Sequence, residues 1–131
     1  MSSEKSLSEI LVKDIMTKSL ISVDPETTVF QVAKMMEQGG IGAVFVKKDG
    51  TTSGIITDRD FAIKIATQKL GLETTVEKVA SYPLETINSS ESILMAAGQM
   101  SSKNLRKLAV VEDSKIVGII TSTDLVNQLA K

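Results

Sequence analysis

The most constraining feature of this sequence is a seven-residue motif that occurs twice. Residues 54–60 read Gly-Ile-Ile-Thr-Asp-Arg-Asp, and residues 118–124 read Gly-Ile-Ile-Thr-Ser-Thr-Asp, an offset of 64 positions. The same offset aligns apolar and aspartate positions along the preceding chain without a gap. A chain that repeats a whole unit builds two similar domains, and such domains pack as a pseudo-symmetric pair with a cleft.

The alignment divides the sequence into an N-terminal extension 1–11, a first repeat 12–66, a short polar linker 67–75 and a second repeat 76–130. Repeats of about 55 residues bury too little apolar surface to be very stable in isolation, so we expect them to share an interface. The formal net charge of −1 provides no global basic field that would attract nucleic acid or anionic lipid.

Several classes of function lack the residues that they require. The sequence contains no cysteine and no histidine, which removes disulfides, the commonest zinc ligands and the usual nucleophile and base pairs. The N-terminus shows no signal-peptide core, and the apolar runs are too short to cross a bilayer. We therefore expect a cytoplasmic protein that is not an enzyme and holds no metal or cofactor.

Hydrophobic periodicity and turn residues predict the same order of elements in each repeat: strand, helix, strand, strand, helix. A small three-stranded sheet backed by two helices is the simplest packing, an α+β fold of the sandwich-like kind. The predicted helices are 8–16, 27 or 28 to 38, 58–68, 92–101 and 122–130, and the predicted strands are 20–23, 43–48, 51–57, one closing at Ile87, 107–112 and 116–121. Asp49-Gly50 and Asp113-Ser114 are the predicted hairpin turns.

The two motifs, together with the Val12-Lys-Asp-Ile-Met-Thr segment that opens the first repeat, resemble a tandem CBS-domain pair, also called a Bateman module. The resemblance covers residues 12–130 and suggests a stand-alone pair. It implies that AMP, ADP, ATP or S-adenosylmethionine binds in clefts between the repeats and that occupancy alters an unknown protein partner. It also implies association of two pairs into a homodimer.

The Thr-x-x-Asp part of each motif has two interpretations. Thr57 with Asp60, and Thr121 with Asp124, stand where a strand becomes a helix, as in a capping box. A capping box prefers Glu or Gln as the fourth residue, so the cap accounts for threonine better than for the shorter aspartate. The resemblance instead implies that Asp60 and Asp124 bind ribose, with Thr57 and Thr121 beside the ribose and phosphate. One residue can fill both roles.

Three cations lie within five residues at the start of the second predicted strand of the second repeat, at Lys103, Arg106 and Lys107. Such a cluster is usually a solvated surface patch, but the resemblance implies that Arg106 and Lys107 contact phosphate. The first repeat has Gly42 and Ala43 at the equivalent positions. We therefore expect the cleft built on Thr57 and Asp60, facing Arg106 and Lys107, to be the better nucleotide site. Arg59 is a further candidate for phosphate.

The resemblance also suggests where an adenine base would lie. Backbone groups near Ser22 and Val23 with Val44 would hold the base in one repeat. Those near Thr86 and Ile87 with Leu108 and Ala109 would do so in the other. Apolar side chains at such points are more often plain core. An alternative to ligand sensing is an adaptor for protein or nucleic acid, although 3% aromatic content provides few platforms for base stacking.

Overall fold

The computed structural model describes residues 6–131, so residues 1–5 of the predicted extension lie outside the described residues. The helices are α1 Val12–Ile15, α2 Val29–Gly39, α3 Asp58–Asp60 continuing as π-helical turns over Phe61–Ala66, α4 Ile93–Lys103 and α5 Ser122–Leu129, with a 3-10 turn at Val76–Lys78. The strands are β1 Ser22–Val23, β2 Ala43–Lys48, β3 Thr51–Thr57, β4 Thr86–Asn88, β5 Lys107–Glu112 and β6 Lys115–Thr121. The order of these elements is the predicted one.

The strands form two separate three-stranded sheets, with the orders β1-β2-β3 and β4-β5-β6. In each sheet the first strand is parallel to the second, and the second is antiparallel to the third. A parallel pair needs a long crossover, which α2 and α4 provide. The α+β class predicted from the sequence is confirmed.

Both hairpins turn through two residues with left-handed backbone. The φ values are 51° and 80° at Asp49 and Gly50, and 51° and 65° at Asp113 and Ser114. Two consecutive residues with positive φ are typical of a type I′ turn, whose twist matches that of the flanking strands. The two turns lie where the sequence predicted them.

The two crossover helices begin at side-chain caps. Thr28 and Gln31 form a reciprocal capping box before α2, with backbone N–H donors at 3.1 Å from Thr28 Oγ1 and 2.9 Å from Gln31 Oε1. The Ser92 hydroxyl oxygen accepts from the Met95 N–H at 3.1 Å before α4. Gly40 and Asn104 end these helices in the left-handed conformation, which turns the chain that follows away from the helix axis.

The described chain folds as two compact units that differ from the two sequence repeats. The β1–β3 unit consists of Ile21–Leu84, and the β4–β6 unit consists of residues 6–20 together with Glu85–Lys131. Val12, from the first repeat, is fully buried in the core of the β4–β6 unit beside Ile87 and Leu108. Val76, from the second repeat, is fully buried in the core of the β1–β3 unit. The opening segment of each repeat therefore completes the core of the other repeat's sheet.

Each opening segment also pairs with a strand of the sheet that it completes. Thr17 and Ile119 exchange two backbone hydrogen bonds of 2.9 Å at the outer edge of β6. Ser81 and Ile55 exchange bonds of 2.8 and 3.3 Å at the outer edge of β3. Because an unpaired edge is a template for unwanted strand addition, these segments also protect part of both edges.

The glycine that opens each motif lies directly beneath the opening segment that pairs with its strand. Because this segment crosses from one repeat to the sheet of the other, we call it the crossing segment; it includes Met16 and Thr17 at β6, and Ser81 and Tyr82 at β3. A Cβ built on Gly54 would lie 2.5 Å from a ring carbon of Tyr82, and one built on Gly118 would lie 2.6 Å from Met16 Sδ. The repeated glycine is therefore required by close approach of two pieces of chain.

Partial burial raises the pKa of the Tyr82 phenol above its ordinary value, and the charge of Glu77 raises it further.

Most elements lie within two residues of their predicted bounds, and β1 begins at Ser22 rather than at residue 20. Two helices differ more from their predictions. The first helix, predicted over 8–16, is confined to Val12–Ile15 because the Val12 and Lys13 N–H groups donate to Glu91 and Ser89 carbonyls outside the helix. The helix predicted over 58–68 is helical throughout, but its middle has π-type turns. The predicted linker 67–75 hydrogen-bonds to the start of α2, with the Val29 N–H donating to the Thr74 carbonyl at 2.8 Å.

Candidate functional site

The second Thr-x-x-Asp motif lies where β6 becomes α5. The Thr121 N–H donates to Asp124 Oδ2 at 2.9 Å, and the Asp124 N–H donates to Thr121 Oγ1 at 3.1 Å. These two bonds are a complete capping box. The cap therefore accounts for the aspartate as fully as for the threonine, contrary to the expectation from sequence, because the extended backbone of Thr121 brings its N–H within range of the carboxylate.

The first motif, between β3 and α3, uses its aspartate more fully. The Thr57 N–H donates to Asp60 Oδ2 at 2.8 Å, and the Thr57 hydroxyl donates to the same oxygen at 3.3 Å. Asp60 Oδ1 lies 3.2 Å from Lys64 Nζ and accepts from the Ser81 hydroxyl at 3.4 Å. The residue is only 6% exposed. Asp60 is therefore the buried member of an ionic network whose other side chains, Lys64 and Ser81, are partly or largely exposed.

The predicted cations are located at the same edge of the β4–β6 sheet as the second motif. Lys107 pairs directly with Thr121, and the Arg106 carbonyl accepts from the Ser122 N–H at 2.8 Å. Arg106 is exposed and Lys107 is partly buried. The predicted pairing of these cations with Thr57 and Asp60 joins residues of different units and stays a prediction.

The other charged candidates have different surroundings. Lys103 forms an ion pair with Glu85 at 2.6 Å, which directs its ammonium to the start of the sheet. Arg59 is exposed on α3 beside the first motif. In the β1–β3 unit, the neutral residues Gly42 and Ala43 occupy the places of Arg106 and Lys107, and Ala43 pairs with Thr57. The cationic charge at the two motifs is therefore unequal.

Most of the residues predicted to surround a base contribute their side chains to the cores. Val44, Ile87 and Leu108 are 0%, 5% and 1% exposed. Val23 packs against the core of the β1–β3 unit, and Ala109 is buried opposite Thr86. Ser22 and Thr86 are exposed. The simpler interpretation, plain core, holds for these apolar side chains, so only their backbone groups remain for contact with a base.

Two residues of the first motif's network were missed by sequence reasoning. Lys64 follows Asp60 by four positions, the spacing and orientation that favour an ion pair on a helix, so this signal was present in the sequence. Ser81 belongs to the crossing segment, and no local pattern connects it with Asp60. Within residues 6–131, no group of three or more His, Cys, Asp or Glu residues could hold a metal ion.

The fold and the paired motifs agree with the comparison to known families. The CBS domain family matches residues 12–67 and 76–131, so this chain belongs to the CBS-domain family and carries two CBS domains. The CBS domain-containing protein YhcV of Bacillus subtilis is 35% identical over 91% of this chain and 86% of YhcV.

Two solved structures show the same architecture. An uncharacterized conserved protein from Pyrococcus horikoshii superposes with a TM-score of 0.91 at 25% identity, covering 97% of this chain and 96% of that one. The CBS domain pair of protein MJ0100, solved in complex with 5′-methylthioadenosine and S-adenosyl-L-methionine, has a TM-score of 0.82 at 30% identity. That alignment covers 92% of this chain and 95% of the MJ0100 pair.

Among the helices within residues 6–131, none combines the length and apolar character needed to cross a membrane.

Proposed function

We propose that this CBS-domain pair is a cytoplasmic regulatory module that binds an adenosine-containing ligand such as AMP, ADP, ATP or S-adenosylmethionine and transmits its occupancy to a partner protein. The MJ0100 pair, which is 30% identical, was solved with two ligands that both contain an adenosine moiety. A ligand can drive regulation only by binding one conformational state better than another.

The observation that carries this proposal is the geometry of the second motif. Its capping box engages one oxygen of Asp124. Nothing between residues 6 and 131 bonds to the other oxygen, Oδ1, and the residue is partly exposed. A carboxylate in this position can accept hydrogen bonds from the two hydroxyls of a ribose.

The remaining groups supply the other contacts that an adenosine ligand needs. Arg106 and Lys107 provide positive charge for a phosphate or carboxylate at the same sheet edge as Thr121. Backbone groups near Thr86, Ile87 and Ala109 would hold the base. In the β1–β3 unit, the positions that correspond by sequence are Thr57 and Asp60 with the backbone near Ser22, Val23 and Val44, and Arg59 is the cation within the motif itself.

Calorimetric titration and thermal denaturation with AMP, ADP, ATP, S-adenosylmethionine and NADH test the proposed function. A ligand present at 100 times its Kd should add about 2.7 kcal/mol to the free energy of unfolding. The Asp124→Asn variant keeps an oxygen that can accept from Thr121 but lacks the charge, so we expect at least a tenfold weaker affinity.

Asp113→Asn is the matched control, because it removes the same charge in the hairpin turn and tolerates the left-handed backbone. It should bind as the natural protein does. If no compound in the panel binds or stabilises the natural protein at millimolar concentration, ligand sensing is ruled out for this set.

The exposed side chains of α5 suggest that two copies associate. Val126 and Leu129 are 61% and 65% exposed on this helix, and burying them against a second copy would remove apolar surface from water. We therefore propose a homodimer, which light scattering would detect as twice the chain mass of 14.1 kDa. A single-chain mass at high micromolar concentration would contradict it.

A further inference from the structure

We propose that Lys64 closes the first motif to ligand, so that each chain binds one adenosine-containing ligand, through Asp124. This inference rests on the proposed function and goes further by assigning different roles to the two motifs. The first motif would be structural, and the second would recognise the ligand. Lys64 is then a specificity-determining residue.

The carboxylate of Asp60 has no acceptor position left for a ligand. Thr57 donates to Oδ2 from its N–H and its hydroxyl, and Lys64 and Ser81 donate to Oδ1. A carboxylate offers about four acceptor positions, so these four donors saturate it. A ribose could bind only by displacing Lys64 and Ser81, which would remove the ion-pair partner of the Asp60 carboxylate, a residue that is only 6% exposed.

Lys64 is held in place by more than its ion pair. Its ammonium donates to the Val79 carbonyl at 2.8 Å and lies 3.4 Å from the Ser81 hydroxyl. The three donors of an ammonium are therefore matched by three acceptors: Asp60, Val79 and Ser81. A surface ion pair exchanges freely with water, but this one is anchored by a backbone carbonyl of another segment.

Within residues 6–131, the second motif has neither of the two side-chain contacts that occupy Oδ1 of Asp60. At the offset of 64 residues, Gln128 takes the place of Lys64, and Thr17, which also carries a hydroxyl, takes the place of Ser81. Over the described range 6–131, the only hydrogen bond to the Asp124 carboxylate is that from the Thr121 N–H to Oδ2. Asp124 Oδ1 therefore keeps the acceptor capacity that Asp60 has lost.

A reciprocal exchange of the two equivalent residues tests this inference in the full chain. Lys64→Gln gives the first motif the residue of the second, and Gln128→Lys gives the second motif the residue of the first. Isothermal titration with AMP, ATP and S-adenosylmethionine measures the number of ligands per chain and their affinity. Circular dichroism confirms that each variant is folded.

We expect one ligand per chain for the natural protein and two for Lys64→Gln. We expect at least a tenfold loss of affinity for Gln128→Lys, which leaves the network of the first motif untouched. Two equivalent ligands per chain in the natural protein, or natural affinity in Gln128→Lys, would overturn this inference but not the proposed function. Failure of the natural protein to bind any of the compounds would overturn the proposed function and this inference with it.

Discussion

Each residue that is repeated in the two motifs is required for a different physical reason. Glycine is needed because another piece of chain crosses it at van der Waals distance. Threonine and aspartate close the helix end through bonds between the N–H of one and the carboxylate of the other. The same residues therefore stabilise the fold in both motifs, but only Asp124 of the second motif keeps a carboxylate oxygen that can accept a hydrogen bond from a ligand.

The close approach at Gly54 predicts a strong effect of one added carbon. In Gly54→Ala, the new methyl would overlap the Tyr82 ring and approach the Ser81 carbonyl, so the crossing segment must move. We expect a loss of about 1–3 kcal/mol in the free energy of unfolding, the usual cost of overpacking. Urea denaturation measures this quantity.

Gly98→Ala is the matched control for this substitution. Gly98 lies inside α4, and nothing comes within 4 Å of an added Cβ. Alanine should stabilise the helix by about 0.5–1 kcal/mol relative to glycine. Equal effects of the two substitutions would show that the space above Gly54 is not restrictive.

Among the elements, the hairpins and crossover helices were predictable from local sequence. The strands 43–48, 51–57 and 107–112 have the predicted bounds, because β-branched runs flanked by two-residue turns leave little freedom of register. The first helix was predicted too long, because its length is limited by backbone bonds to residues 89–91, far along the chain. Periodicity cannot report such distant partners.

The two hairpin turns differ in one residue, which makes a reciprocal prediction. Ser114 has a φ of 65°, a conformation that costs a non-glycine residue about 1–2 kcal/mol, whereas Gly50 occupies the equivalent place without strain. Ser114→Gly should therefore raise the free energy of unfolding, and Gly50→Ser should lower it, each by about 1 kcal/mol. Thermal or urea denaturation of both variants checks the sign. A fall in stability for Ser114→Gly would contradict this account.

In the molecule as a whole, the compact units and the sequence repeats are different divisions of the chain. Val12 and Val76 occupy equivalent positions in the repeats, yet each lies in the core formed around the other repeat's sheet. A repeat cut out of the chain would lack a fully buried core residue and an edge pairing. Each half therefore depends on a segment of the other repeat for a complete core.

This exchange of opening segments predicts which strands lose protection when a core residue is substituted. Val12→Ala removes buried methyl groups and should cost about 1.5–3 kcal/mol. Amide hydrogen exchange should show the loss of protection in β5 and β6, which belong to the second repeat. Val76→Ala should instead expose amides of β2 and β3. Loss of protection confined to the substituted residue's own repeat would contradict the exchange.

The candidate site was only partly readable from sequence. Thr57, Asp60, Thr121 and Asp124 were found as a repeated pattern at a helix start, and Arg106 and Lys107 as a charge cluster. The unequal state of the two aspartates was not found, because Ser81 and Val79 reach Asp60 and Lys64 from a distant segment. The preference for the first motif as the better site combined the charge of Arg106 and Lys107 with the role that the family resemblance implies for them, and it stays a prediction.

The repeat follows from comparing the chain with itself at an offset of 64 residues. Local patterns in the chain were sufficient for the order of the elements, the turns and the motif residues, since each of these depends on neighbours a few positions away. The partners of those elements required three-dimensional packing. The pairing of each opening segment with the other repeat's sheet, the burial of Val12 and Val76, and the contacts of Val79 with Lys64 and of Ser81 with Asp60 all join residues that no short-range pattern relates. Such contacts form only when the sheets and helices assemble, because burial of apolar surface, rather than local propensity, selects them.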